Sequence, residues 1–156
     1  MRAIQDATAT DQMAHMGSHD FVLDPRLAHD TALICDWPLS RVLLMNDRRY
    51  PWLVLAPRRA SVSEAFDLEA ADQALLWRET MEAARALKQS TACRKINIGA
   101  LGNIVAQLHV HIIARKEGDA AWPGPVWGMG NAVCYDDAGL RAEVERYQTL
   151  LYGGGN

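Results

Sequence analysis

Two histidines one residue apart, His109 and His111, lie in the run QLHVHIIARK (Gln107–Lys116), which is otherwise mostly Leu, Val and Ile. Successive side chains of an extended strand point to opposite faces. Leu108, Val110 and Ile112 therefore share one face, and Gln107, His109, His111 and Ile113 share the other. The aliphatic set can pack beneath a helix, which leaves the imidazoles side by side on a face turned to a pocket or to solvent. Three uses of such a pair are open. They can be ordinary hydrogen-bonding residues on a partly exposed strand. They can share a metal ion, although no nearby cysteine or acidic cluster supplies a third and fourth ligand. Or they can do nucleophilic catalysis, one imidazole attacking phosphorus while the other holds phosphate oxygens or protonates the leaving group. The remaining histidines add little. His15 and His19, in MAHMGSHD, read as part of a loose N-terminal extension, and His29, in RLAHDT, as a surface or capping residue.

The elements that must position this pair can be read from the flanking sequence. From Leu23 to Ala60 the pattern is short and β-like. TALICDW (Thr31–Trp37), RVLLMND (Arg41–Asp47) and PWLVLAPRR (Pro51–Arg59) are apolar runs separated by Pro, Asp and Asn, as in an antiparallel meander. The turn NDRRY (Asn46–Tyr50) joins the last two. Residues 61–90 contain neither Gly nor Pro and are rich in Ala, Leu, Glu and Gln, which predicts one long helix. Asp67 is a candidate cap, with Glu69 and Asp72 near the positive end of the helix dipole and Arg85 and Lys88 near the other. Ala70, Ala74, Trp77, Met81, Ala84 and Leu87 form the expected apolar stripe. A short strand, KINIG, then runs through a Gly-containing turn to the histidine strand. The loop GDAAWPGPVWGMGN follows, and DDAGLRAEVERYQTLL predicts a short C-terminal helix. Strands, long helix, strands, short helix is the order of an α+β fold with a mainly antiparallel sheet.

Bulk properties narrow the function classes. The chain has 156 residues, enough for one domain with a sizeable core, and its 49% apolar and 22% charged composition is that of an ordinary globular protein. A net charge of −3 gives no general attraction to nucleic acid or to an anionic membrane, so phosphate chemistry must come from a local site. Cys35, Cys93 and Cys134 form no CxxC pair and read as small core residues in a reducing compartment. No apolar run approaches a membrane span and the N-terminus lacks the apolar core of a signal peptide, which together predict a cytoplasmic protein. Residues 1–20 read as a flexible extension, 21–152 as the domain, and 153–156 as a frayed tail.

GNIVAQLHVHIIAR resembles the signature of the histidine triad (HIT) superfamily, His-φ-His-φ-His-φ-φ with φ apolar. LLMNDRRYPWLVLAPRR is similar to the family's paired strands before the helix, and INIGALGN to the segment before the triad. AWPGP (Ala121–Pro125) is similar to a Trp-Pro loop that follows the triad in the Hint-like branch. The likeness runs roughly from Leu33 to Trp127. It implies a HIT-like fold and a nucleotide hydrolase or transferase that cleaves a dinucleoside polyphosphate or a nucleoside phosphoramidate through a covalent nucleotidyl-histidine. It implies no metal or other cofactor, a small-molecule nucleotide as substrate, and a homodimer. His109 takes the position of the central, nucleophilic histidine, and His111 the third position, which contacts phosphate and the leaving group. Asn46 matches the position that bonds ribose hydroxyls. Asn97, Gly102 and Asn103 match the segment lining the phosphates, where a glutamine is more usual than Asn103.

Two positions depart from the pattern. Gln107 replaces the first histidine of the triad, and Trp52 stands where relatives often carry a further histidine. An amide donates and accepts hydrogen bonds but does not titrate. If the first position only orients the nucleophile, Gln107 completes the catalytic set. If it must carry charge or pass a proton, the resemblance implies a weak or inactive nucleotide-binding or sensing module.

Overall fold

The computed structural model describes residues 21–152; the extension expected over 1–20, with His15 and His19, and the tail over 153–156 lie outside the described residues. The first element among the described residues is one that the β-like reading of this region missed. Asp24 accepts a hydrogen bond from the Arg26 backbone N–H at 2.8 Å, and Pro25 opens the short helix α1, Pro25–Asp30. An aspartate followed by proline is a helix start because the side chain caps the first turn and the ring presets its φ. The expected meander follows as β1 (Thr31–Asp36), β2 (Ser40–Met45) and β3 (Trp52–Pro57). Then come the long helix α2 (Ala70–Thr91), β4 (Lys95–Gly99), β5 (Val110–Arg115) and the C-terminal helix α3 (Asp137–Tyr152), which at 16 residues is longer than the short helix expected.

The strands form one five-stranded antiparallel sheet in the order β1-β2-β3-β5-β4. Inserting β5 between β3 and β4 places His111 opposite Val54 on one side and Gly99 on the other. One face of the sheet, with Val42, Leu53, Leu55 and Ile112, packs on Ala83 and Leu87 of α2 and on Tyr147 and Leu151 of α3. The histidine face, expected to turn to a pocket or to solvent, is largely covered around the histidines. Leu43, Trp52, Val54 and Ile113 on that face form a second core, covered by Phe21 and Leu23 from the N-terminal side and by Ala121 and Val126 from the loop after β5. All six residues of β5 are buried as a result.

The inward side of α2 is offset from the expected stripe. Leu76, Glu79, Thr80, Ala83 and Leu87 are buried, whereas Ala70, Ala74 and Trp77 are exposed, Trp77 at 61%, and Met81 and Ala84 are half-buried. The reason is polar. The Glu79 carboxylate turns inward to accept the backbone N–H groups of Leu39 (2.9 Å) and Ser40 (3.0 Å), and the Thr80 hydroxyl returns to the Leu76 carbonyl at 2.7 Å. Apolar spacing cannot register a buried carboxylate that satisfies its own hydrogen bonds. Asp67 does not cap α2 either. It lies in a preceding 3₁₀ turn (Ala65–Asp67) and accepts from the Glu64 N–H at 3.0 Å, and Glu69 occupies the cap position of the helix. Cys35 and Cys93 are buried as expected and Cys134 is exposed; all three are free thiols. Among the described residues no helix is long and apolar enough to cross a membrane.

Candidate active site

Register within the sheet brings the two imidazoles together. His109 precedes β5 by one residue and keeps the alternation of the strand, so the rings of His109 and His111 lie 4.8 Å apart, nearly edge to face at 77°. Each ring has a hydrogen-bond partner at Nδ1. For His109 it is the backbone carbonyl of Gln107, at 2.6 Å. A carbonyl only accepts, so His109 Nδ1 carries the proton and Nε2 carries the lone pair. For His111 the partner is the indole of Trp52, whose Nε1–H donates to Nδ1 at 3.0 Å. An indole only donates, so His111 Nδ1 is the acceptor and Nε2 carries the N–H. Neighbouring imidazoles thus hold opposite tautomers: one presents a lone pair and the other a donor.

The surroundings keep His111 neutral. Burial first and the neighbouring His109 second drive its pKa down to about 3. Trp52 and Trp127 box the His111 ring edge to face, with centroids at 5.4 Å and 5.7 Å. Gly99, opposite His111 on β4, makes room for the second indole: a Cβ at that position would lie 3.0 Å from the Trp127 ring.

Both histidines line a cleft of about 500 Å³. Gly102 and Asn103 border it, with Gly102 in a left-handed conformation at φ 71° that suits glycine. Leu27 and Met45 give it an apolar wall. Asp47 and Arg49 lie at one end, joined by paired hydrogen bonds of 2.6 Å and 2.9 Å. Burial pushes the Asp47 carboxyl upward, but hydrogen bonds from Arg49 and from the Val133 N–H outweigh it and hold the pKa below the ordinary carboxylate value. Arg49 also donates to the Met129 carbonyl at 2.7 Å, so this pair ties the segment after Trp127 to the turn between β2 and β3.

The other expected site residues sit as follows. The Asn46 side chain accepts from the Tyr135 N–H at 3.0 Å, one residue before the cleft-lining Asp47. Asn97 is not among the residues lining the cleft; its side-chain oxygen accepts from the buried Arg115 guanidinium at 2.8 Å. Gln107 also stands outside the lining. Its amide accepts from the Asp24 N–H at 2.9 Å and donates to the Val22 carbonyl at 2.8 Å, clamping the segment that starts α1. It therefore meets His109 through its main chain, and its side chain supports the helix whose Arg26, Leu27 and Asp30 form one wall of the cleft.

Sequence reasoning passed over Asp47, Arg49 and Trp127 as cleft residues. Asp47 and Arg49 were legible only as turn residues, and Trp127 as the second tryptophan of a Gly/Pro-rich loop. Among the described residues no group of three or more His, Cys, Asp or Glu side chains is placed to hold a metal ion.

Comparison with known proteins agrees with this architecture. The HIT domain model matches residues 26–118. A histidine triad (HIT) protein from Sinorhizobium meliloti 1021 is 49% identical, with 88% of this chain and 98% of that one covered and a TM-score of 0.81. A histidine triad protein from Bradyrhizobium japonicum is also 49% identical, over 85% and 96% of the two chains, with a TM-score of 0.78. One from Marinobacter aquaeolei VT8 is 39% identical over 85% and 97%, with a TM-score of 0.83. No curated protein matches the chain at a significant level. An antiparallel sheet with the paired histidines on its β5 strand, a family model spanning most of the fold, and near-complete coverage of such relatives together place the chain in the histidine triad (HIT) family.

Proposed function

We propose that this chain is a nucleotide hydrolase or transferase acting through a covalent nucleotidyl-histidine. The observation that carries the reading is the His109 hydrogen bond to the Gln107 carbonyl, which leaves the Nε2 lone pair of a cleft-lining imidazole free for phosphorus. The nucleoside phosphoryl group enters the cleft with its base against the apolar wall and its ribose near Asn46. The Nε2 of His109 attacks the α-phosphorus in line. The phosphoryl oxygens are met by backbone N–H groups around Gly102 and Asn103 and by His111, because fixed donors best stabilise developing charge. Water then attacks the phosphorus of the adduct, the N–P bond breaks, and the nucleoside monophosphate leaves. In this reading Gln107 supplies orientation, which needs no charge, so its replacement of a histidine is compatible with turnover.

The same reading takes residues 21–152 as one HIT-like domain working as a homodimer on a small-molecule nucleotide. Three free thiols favour a reducing, cytoplasmic setting. Brief mixing with diadenosine tetraphosphate or adenosine phosphoramidate, followed by intact-protein mass spectrometry, tests the chemistry. An adenylyl adduct or AMP release is expected for the wild type and neither for His109→Ala. Nucleotide binding without adduct or release in the wild type would instead make the chain a binding module, with Gln107→His the informative next variant.

A further inference from the structure

Trp52 is a neighbour to the paired histidines that the triad pattern does not call for, and the direction of its hydrogen bond has a chemical consequence. An imidazole can hand over its Nε2 proton as an acid only if its Nδ1 is already protonated, as in the imidazolium, or takes up a proton in the same event. Otherwise the product is an imidazolate, far too basic to form near neutral pH. At His111 the Nδ1 lone pair is occupied by the Trp52 Nε1–H at 3.0 Å, and an indole has no labile proton to pass on. Water has little access, since His111 and Trp52 are 6% and 7% exposed.

The titratable and charged groups facing His111 do not supply the missing proton. On its own strand segment it faces His109, whose Nδ1 proton is engaged by the Gln107 carbonyl. From the turn after β2 come Asp47 and Arg49, bound to each other, and from α1 come Arg26 and Asp30 on the cleft wall. The neighbouring strands present Gly99 and Val54, and the loop after β5 presents Trp127, none of which titrates usefully.

We infer that Trp52 fixes His111 as a permanent hydrogen-bond donor that cannot act as a general acid, and thereby restricts the enzyme to leaving groups that depart as stable anions. The inference rests on the nucleotidyl-transfer reading above and narrows its substrate class to anhydrides: a phosphate or polyphosphate chain, or a carboxylate, on the α-phosphorus. In the first step the Nε2 lone pair of His109 forms the N–P bond and the P–O bond to the leaving group breaks. The electron pair departs on that oxygen, which receives a hydrogen bond from His111 Nε2–H without proton transfer. His109 keeps its Nδ1 proton throughout. An amine leaving group, which must gain a proton as it departs, finds no donor able to release one.

The test pairs a tautomer measurement with a leaving-group comparison. Nitrogen-15 NMR of the histidine rings should show His111 as the Nε2–H tautomer in the wild type. Initial rates with diadenosine tetraphosphate and with adenosine phosphoramidate should differ at least about 100-fold in favour of the anhydride, the scale of a missing general acid. Trp52→His places a ring that can pass a proton at Nδ1, and it should raise the amide-to-anhydride rate ratio at least about tenfold and add a pH limb absent from the wild type. Trp52→Phe, which removes the donor and keeps an aromatic ring, should release His111 from the fixed Nε2–H tautomer in the NMR experiment. A His111 Nδ1–H tautomer in the wild type overturns the inference whatever the kinetics. So does phosphoramidate turnover matching the anhydride rate. Absence of His109-dependent chemistry with either substrate overturns the hydrolase reading instead, and the wild-type tautomer then decides the assignment of His111 by itself, even if a variant fails to fold.

Discussion

His111 shows how one residue can tie the site to the stability of the fold. Its pKa is pushed down from 6.5 to about 3 by burial first and by His109 second. Between those values the unfolded chain binds a proton at this position that the native chain does not, so stability rises with pH there and is lost as the pH falls below 6.5. The slope from this one group is about 1.4 kcal/mol per pH unit. Asp47 and Asp119 are held below the ordinary carboxylate value by their arginine partners, so their contribution is complete above about pH 4 and lost only below it. Urea titrations between pH 6.5 and 4.5 should therefore show a steeper loss of stability for the wild type than for His111→Gln. Equal slopes in the two proteins would mean that the imidazole protonates without opposing the fold. The pair of histidines and their shared face were readable from the alternation of a strand. Their tautomers were not, because the deciding partners are a backbone carbonyl and an indole from β3, a separate strand.

At the scale of elements, α2 shows where reading by apolar period succeeds and where it stops. Absence of Gly and Pro and richness in Ala, Leu and Glu specified the helix, and it forms over Ala70–Thr91. Its buried side lies elsewhere than the Ala70–Trp77–Met81 stripe, because Glu79 points inward to hold the Leu39 and Ser40 N–H groups at the start of β2. Removing that carboxylate leaves two backbone donors unsatisfied in the core. Glu79→Ala should cost about 2–4 kcal/mol in chemical denaturation, whereas Glu79→Gln, which keeps an acceptor, should cost less. A change under about 0.5 kcal/mol in Glu79→Ala would show that the hairpin holds without its tether. The Asp24-Pro25 helix start was equally local, yet the surrounding β-like pattern concealed it; a single short helix carries too few residues to show a period.

At the scale of the whole molecule, the cleft gathers α1, the turn after β2, the loop before β5, the histidine strand and the loop carrying Trp127. The Gln107 amide and the Asp47–Arg49 pair each hold one of these pieces in place, the start of α1 and the segment after Trp127. The homodimer proposed above is tested at this scale; the outward side of α2 leaves Trp77 61% accessible. Light scattering should then give twice the 17.3 kDa chain mass; a monomer at working concentration would remove the dimer from the proposal.

By itself the sequence determined the types of the strands and of the two longer helices, the antiparallel meander and the shared face of His109 and His111, because each follows from local period and turn chemistry. It also carried the family likeness, since the motif residues are contiguous. The tertiary structure decided what lies beyond neighbouring residues: that β5 inserts between β3 and β4, that the histidine face becomes a second core, and that Gln107 clamps the chain before α1. It also decided that Trp52 donates to His111. These depend on long-range pairing in the sheet, where side chains far apart in sequence meet at hydrogen-bond distance and only then acquire a fixed proton.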